Sequence, residues 1–310
     1  MKPTAYIWKN GDFINWEDAT THVLTHALHY GSGVFEGIRA YSTPKGPAIF
    51  RAREHYDRLI NSGKLVQMQV PYSSDIFIEA TSQLIEKNNL ESCYIRPLVY
   101  CGYGSMGLKP PTSPIDSVIA AWEWGSYLGE EGLEKGIRCK ISSWRRIDSQ
   151  IVPPLSKCTA NYSNSSLAKM EAINCGYDEA ILLNLNGYIG EGPGENIFLV
   201  KDNVLYTPPA SDHALSGITA QTIIELAKYF NIPFEYKHII RDELFLADEL
   251  FFTGTAAEVT PIREVDDRII GNGGRGTITE KLQTAYFNIV KGMDPNFDHW
   301  LSYTKSSVLK

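Results

Sequence analysis

The sequence predicts an α+β protein of two domains with mixed sheets. Three observations carry this. Segments of helical and strand-like periodicity alternate in both halves of the chain. Hairpin signals recur at Asn10-Gly11, Asn186-Gly187 and Asp202-Asn203, so antiparallel pairs must stand among any parallel ones. The stretch from Gly125 to Gly136 is rich in glycine and glutamate and has no strong period, as a linker would. The expected division is a smaller domain at 1–124, a linker at 125–136 and a larger domain at 137–310.

The elements follow in order. Ala5–Trp8 and Phe13–Trp16 flank Asn10-Gly11, where a type I′ turn needs φ > 0 twice. His22, His26 and His29 have no Asp, Glu or Cys among them, so they read as core or supporting residues and no metal site is expected. Short strands at 38–41 and 48–51 precede helices at 53–68 and 74–89, the second opened by Ser74-Asp75. YIRPLVY (94–100) is a strand carrying Arg96 inside an apolar run. SVIAAWEW (117–124) is almost wholly apolar, which predicts burial on both faces.

Beyond the linker, 137–143 is a strand and 164–174 a helix closed by Gly176. Strands at 178–185, 198–201 and 204–207 lead to an amphipathic helix at 218–230. A strand at 233–239, a short helix at 241–247 and a strand at 249–253 come next. Thr277 and Glu280 suggest a capping box for a last helix ending near Val290, with a loose polar tail from Ser302.

Composition narrows function. At 43% hydrophobic and 21% charged the 310 residues are ordinary globular material. A net charge of -7 argues against nucleic acid as partner. The five cysteines are scattered and form no CxxC pair, as free thiols in a reducing compartment do. MKPTAYIWKN holds no apolar signal core, and no apolar run is long enough to span a membrane; a cytoplasmic address is expected.

Four groups of residues can carry chemistry. In YIGEGPGENIF (188–198) glycines surround Glu191 and Glu195, so a carboxylate can be aimed at one ligand atom. Gly217-Ile218-Thr219 opens the amphipathic helix, and free N–H groups there form an anion site; Thr253-Gly254-Thr255-Ala256-Ala257 offers further N–H and hydroxyl donors. Arg58 is a bidentate candidate for the same anion. Lys157 stands in PPLSKCTANY without an acid nearby, where an amine loses its charge readily and can attack a carbonyl; Tyr162 is close in sequence. Tyr94 and Arg96 share one face of a strand and suit a carboxylate. Tyr30, Phe35, Trp124 and Tyr127 can wall an apolar pocket. There is no GxGxxG, GKS/GKT, GxSxG or HExxH.

Taken together, HALHYGSGVFEGIRAY (26–41), YIRPLVY, the lysine segment (153–162), GYIGEGPGENIF (187–198), ALSGIT (214–219) and TGTAAEVTP (253–261) resemble the branched-chain amino-acid aminotransferases, pyridoxal-5′-phosphate enzymes of fold type IV. The resemblance runs from Tyr6 to about Trp300. It implies amino transfer from leucine, isoleucine or valine to 2-oxoglutarate, in ping-pong halves. It implies that Lys157 anchors the coenzyme and later moves the proton between Cα and C4′. Glu191 would keep the ring nitrogen protonated, and Tyr162 would bond the phenolic oxygen. Arg58, Gly217, Ile218, Thr219 and Thr255 would hold the phosphate. Tyr94, Thr255 and Ala256 would take the α-carboxylate, and Arg96 the distal carboxylate of glutamate. Tyr30, Phe35, Gly37, Trp124 and Tyr127 would line the side-chain pocket, with Tyr30 and the loop near Met106–Leu108 contributing across a dimer interface; the assembly implied is a homodimer or hexamer. Ala220, Gly190 and Pro193 depart from the family's usual residues. D-amino-acid aminotransferases and aminodeoxychorismate lyases share the fold, and Arg96 favours the branched-chain reading over both. A non-catalytic anion-binding protein, with Lys157 inert, is the alternative outside enzymes.

Overall fold

The computed structural model of the chain describes residues 2–108, 113–125 and 128–304. The chain forms two compact units. One is Met1–Trp124, Ser156–Ala160 and Asn288–Lys310; the other is Gly125–Leu155 and Asn161–Phe287. The change at 124/125 coincides with the start of the expected linker. The lysine segment and the chain's end, which the sequence places in 137–310, cluster with the first unit instead, for the contacts given below.

The first unit begins with β1 (Tyr6–Lys9) and β2 (Asp12–Asn15), joined by Asn10 (φ 52°) and Gly11 (φ 104°) as the turn requires. After α1 (His26–Tyr30) come β3 (Gly33–Phe35), β4 (Ile38–Thr43) and β5 (Gly46–Phe50). Then follow α2 (Ala52–Leu65), α3 (Ser74–Lys87), β6 (Cys93–Cys101) and β7 (Ile115–Trp122). Ser73, not Ser74, caps α3 by accepting from the Ile76 N–H at 3.4 Å. Strands β3 and β4 lie along the same edge of β6, at Leu98–Tyr100 and Cys93–Ile95, and the break between them is Glu36-Gly37. Tyr56 stacks on Phe77, and Trp8 meets Phe77 edge-on, which seats the helices on the sheet. Burial along β7 alternates: Ile119 and Ala121 are buried, Val118 and Ala120 half-buried. The expectation of two buried faces is therefore corrected; small and β-branched residues here fit an antiparallel strand with one open face.

The second unit contains α4 (Gly129–Lys135), inside the expected linker, then β8 (Ile137–Arg145), α5 (Tyr162–Asn174), β9 (Glu179–Leu183) and β10 (Ile189–Glu191). It continues with β11 (Asn196–Lys201), β12 (Val204–Thr207), α6 (Ile218–Tyr229) and β13 (Phe234–Tyr236). The remainder is α7 (Arg241–Leu246), β14 (Glu249–Gly254), β15 (Glu258–Val265), β16 (Arg268–Ile269) and α8 (Thr277–Val290). The sheet runs β10-β9-β8-β15-β14-β11-β12-β13, with β16 on β15. It is mixed: β8 is parallel to β9 and β15, whereas β14 is antiparallel to β11 and β15. Ile181, Ile197, Leu250, Phe252 and Ile262 form the centre of its core.

The capping box of α8 is replaced by a longer-range device. Glu249 accepts from the N–H groups of Ile278 and Thr279 at 3.0 and 2.7 Å and from the Thr279 hydroxyl at 2.6 Å, while Glu280 pairs with Arg275. A carboxylate at a helix start meets both the orphan donors and the dipole. The chain leaves the second unit within α8 and ends as β17 (Leu301–Tyr303), antiparallel to β5. The first sheet thus reads β17-β5-β4-β6-β7-β1-β2, and all its ladders are antiparallel. Ser302 and Tyr303, expected to be loose, are held by that pairing; residues 305–310 lie outside the described ones. No helix among the described residues is long and apolar enough to cross a membrane.

Candidate active site

In the first unit the lysine segment is stitched between β3 and α2. The Lys157 carbonyl accepts from the Phe35 N–H at 3.0 Å, and the Lys157 N–H donates to the Ser62 hydroxyl at 3.0 Å. The Ser156 hydroxyl donates to the Ser62 carbonyl at 3.0 Å, and the Thr159 hydroxyl to the Gly31 carbonyl at 2.8 Å. Gly31 takes φ 62°, and a Cβ there would sit 3.0 Å from the Cβ of Ala160. These bonds explain why 156–160 belongs to the first unit.

The Lys157 ammonium nitrogen lies 5.0 Å from the centre of the Phe35 ring, and the Arg96 guanidinium 4.8 Å from the same ring. Arg96 Nη2 donates to the Tyr94 hydroxyl at 3.1 Å, confirming that the two share a face of β6. Arg96 Nε is buried with no partner among the described residues. A buried donor left open this way is ready for a carboxylate. Trp124 packs on Tyr94 with ring centres 4.3 Å apart. Gly37 faces the Tyr94 hydroxyl, which a Cβ would approach to 2.1 Å. Arg58, read from sequence as an anion ligand, has its Nε and Nη2 on Glu36 at 2.6 and 2.8 Å. Tyr30 is exposed, its ring 4.5 Å from that of His26. His26 alone of the three histidines is buried; it bonds Ser32 and the Gly107 carbonyl, and His22 and His29 are exposed rather than core residues.

In the second unit Glu191 ends β10 and is buried. Its Oε1 pairs with Arg146 Nη2 at 2.7 Å; its Oε2 accepts from the Leu215 N–H at 2.9 Å and from Asn196 Nδ2 at 3.4 Å. Asn196 also donates to the Leu215 carbonyl at 2.7 Å, so one amide ties β11 to the segment entering α6. Gly217 allows this: a Cβ there would fall 1.8 Å from Asn196 Oδ1. The start of α6 is buried at Ile218 and Thr219, and no side chain caps it. Its first helical bond runs from the Gln221 N–H to the Gly217 carbonyl at 2.9 Å. Uncapped N–H groups at a buried helix end call for an anion.

Thr255 and Ala256 lie in the turn between β14 and β15. A Cβ on Gly254 would meet the Gly194 carbonyl at 3.2 Å, so this turn lies directly beside the glycine-rich loop after Glu191. Gly190 rests on the Asp212 carbonyl, 3.0 Å from where its Cβ would be, which accounts for a residue without a side chain there. Glu195 is buried under the loop, accepting from the Gly194 N–H at 3.0 Å; burial and the neighbouring Glu179 push its carboxyl up to about 8. Tyr162 is the first residue of α5. Tyr127 lies outside the described residues.

The first unit therefore holds Tyr30, Phe35, Gly37, Arg58, Tyr94, Arg96, Trp124 and Lys157; the second holds Tyr162, Glu191, Gly217, Ile218, Thr219, Thr255 and Ala256. Sequence reasoning missed Arg146, Asn196 and Glu36. Arg146 stands beside Arg145 in WRRID, and nothing local marks which of two neighbouring arginines turns inward.

A family model described as amino-transferase class IV matches residues 33–265. The branched-chain-amino-acid aminotransferase of Pseudomonas aeruginosa is 52% identical over 299 residues, covering 96% of this chain and 97% of its own. That of Escherichia coli (strain K12) is 48% identical over 301 residues, 97% of each chain. The crystal structure of the Escherichia coli enzyme gives a TM-score of 0.95 at 48% identity, over 97% of this chain and 100% of that one. A T.th. branched-chain amino acid aminotransferase, solved with pyridoxamine 5′-phosphate, gives 0.95 at 46% identity, over 98% and 100%. With the six motifs in place and relatives alike over nearly their whole length, the chain belongs to the class IV aminotransferases, in their branched-chain-amino-acid group.

Proposed function

We propose that this chain transfers the amino group of L-leucine, L-isoleucine or L-valine to 2-oxoglutarate, in ping-pong halves, with pyridoxal 5′-phosphate as coenzyme. The observation that carries the reading is the triplet in the first unit: an amine, an apolar ring and a guanidinium, Lys157, Phe35 and Arg96, the ring within 5.0 Å of both charges. One pocket must take an aliphatic side chain in one half-reaction and glutamate's carboxylate in the other. Phe35 and Trp124 serve the first, and Arg96 serves the second.

The residues fit the coenzyme on three counts. The α6 start is buried and uncapped, which suits a phosphate. Glu191 is a buried carboxylate held by Arg146 and a backbone N–H, which suits a protonated ring nitrogen. Lys157 lies over the Phe35 ring, which suits an amine that must be held in place at the edge of an apolar pocket.

The roles follow. Lys157 would hold the coenzyme through its amine and would serve as the base and acid that moves the proton at the substrate's Cα. Glu191 would keep a proton on the ring nitrogen. The coenzyme, when bound, would supply an electron sink as the proton leaves Cα. Tyr162 would bond the phenolic oxygen. Arg58, Gly217, Ile218, Thr219 and Thr255 hold the phosphate, and Tyr94 with the N–H groups of Thr255 and Ala256 takes the α-carboxylate. Tyr30, Gly37 and Tyr127 complete the side-chain pocket. The protein self-associates, as dimer or hexamer; exposed Leu24, Leu28, Tyr30, Tyr103, Met106 and Leu108 of the first unit support this. Free thiols at all five cysteines support a cytoplasmic address.

Purified protein loaded with coenzyme should form glutamate from L-leucine and 2-oxoglutarate, and not from D-leucine. No glutamate from the L-isomer would remove the reading. Lys157→Ala should abolish turnover with the circular dichroism spectrum unchanged.

A further inference from the structure

The break between β3 and β4 places two adjacent side chains in different company. Phe35 stands against the Lys157 amine, and Glu36 turns into the interior toward α2. The Glu36 carboxylate is wholly buried. Its Oε1 accepts from Arg58 Nε at 2.6 Å; its Oε2 accepts from Arg58 Nη2 at 2.8 Å, His55 Nδ1 at 2.8 Å and the Gly37 N–H at 3.2 Å. The Glu36 N–H donates to the Pro97 carbonyl at 2.9 Å, which fixes the backbone beneath. His55 and Arg58 are three residues apart on α2, so both reach the same acid from one helix face.

From this geometry we infer that Glu36 is a positioning residue for phosphate recognition: by holding one edge of Arg58 side-on, it fixes the plane in which the guanidinium meets a phosphate monoester. The inference rests on the proposed role of Arg58.

Charge bookkeeping supports it. Burial alone would raise the Glu36 carboxyl, but the Arg58 charge and hydrogen bonds, with those of His55, outweigh burial and hold it far below the usual carboxylate range. Burial pushes His55 down, against the pull of Glu36, with Arg58 and Lys157 also pushing down. His55 is therefore the neutral donor of the trio, and Glu36 with Arg58 sums to zero charge. Two effects compete at the phosphate. A nearby carboxylate weakens the attraction of Arg58 for a dianion, whereas a fixed fork removes the ordering cost at binding. Bidentate geometry decides for the second. An amide at 36 has one acceptor oxygen for three side-chain donors, so Arg58 would lose its orientation.

The test is titration of apoenzyme, by fluorescence, with pyridoxal 5′-phosphate and with pyridoxal, which lacks the phosphate. Glu36→Gln should raise the Kd for the phosphorylated form about tenfold and leave that for pyridoxal within about twofold. Glu36→Asp, which keeps the charge but not the reach, should move the same way and stands in if the amide variant does not fold. Unchanged or tighter binding of the phosphate form, or equal loss for both ligands, would overturn the inference. Arg58→Gln separates the two readings. If it abolishes the preference for the phosphorylated ligand while Glu36→Gln and Glu36→Asp keep it, only this inference falls. If Arg58→Gln leaves the preference intact, the role of Arg58 falls and this inference with it.

Discussion

Arg146 Nη2 lies 2.7 Å from Glu191 Oε1, with both side chains buried. The acid assigned to a ring nitrogen thus has a counter-ion of its own, and its second oxygen is held by the Leu215 N–H. A buried carboxylate so placed has its oxygens partnered before any ligand arrives. Removing one partner of a buried pair leaves an uncompensated charge, at a cost of about 3 kcal/mol. Arg146→Met should lose about that much stability in urea unfolding of the apoprotein. Glu191→Gln in the same background should restore part of it. A single variant as stable as the parent would mean that the pair does not hold Glu191.

Glu191→Ala should slow proton transfer at Cα far more than it weakens coenzyme binding, since the ring's positive charge matters most as the carbanion develops. Single-turnover rates with α-deuterated leucine, beside a coenzyme titration, check this. Equal losses in both would contradict the role.

Gly37 touches the hydroxyl of Tyr94, the residue proposed to take the α-carboxylate. A methyl there would press on the Tyr94 hydroxyl, and Tyr94 cannot retreat from Trp122 and Trp124, whose rings lie 5.3 and 4.3 Å away. Gly37→Ala should therefore raise KM for the amino acid about tenfold, roughly 1.4 kcal/mol, with coenzyme affinity unchanged. Steady-state kinetics at saturating coenzyme decide it; an unaltered KM would show that Tyr94 is not in the binding surface.

Glu195 gives the second unit a pH dependence. Its folded-state value of about 8 lies above its ordinary 4.5, so the neutral form favours the fold. The stabilisation is complete below pH 4.5 and is lost progressively as pH rises to about 8. Glu195→Gln, always neutral, should show a smaller fall in stability across that window. Identical pH profiles would mean that Glu195 is ionised in the folded protein.

Local chemistry was readable in the sequence at several turns and one helix end built from neighbours. Asn10-Gly11 and Asp202-Asn203 adopt the positive φ their residue types favour, and Gly176 takes φ 81° just past α5. What stayed hidden depends on distant partners. The α8 cap comes from Glu249, and the seat of Lys157 from Ser62, 95 residues away. Arg146 and Glu36 are ordinary charged residues until the fold brings Glu191 and Arg58 to them. The β7 run misled because apolar composition alone does not distinguish a strand with one half-open face from one covered twice.

The covalent anchor is assigned to position 157. Coenzyme-loaded protein should be reduced with borohydride, digested, and its peptides weighed. The mass of a reduced pyridoxyl phosphate is expected on the peptide carrying Lys157 and on no other lysine. Label on a different lysine, or a protein that takes up coenzyme without any label, would contradict it.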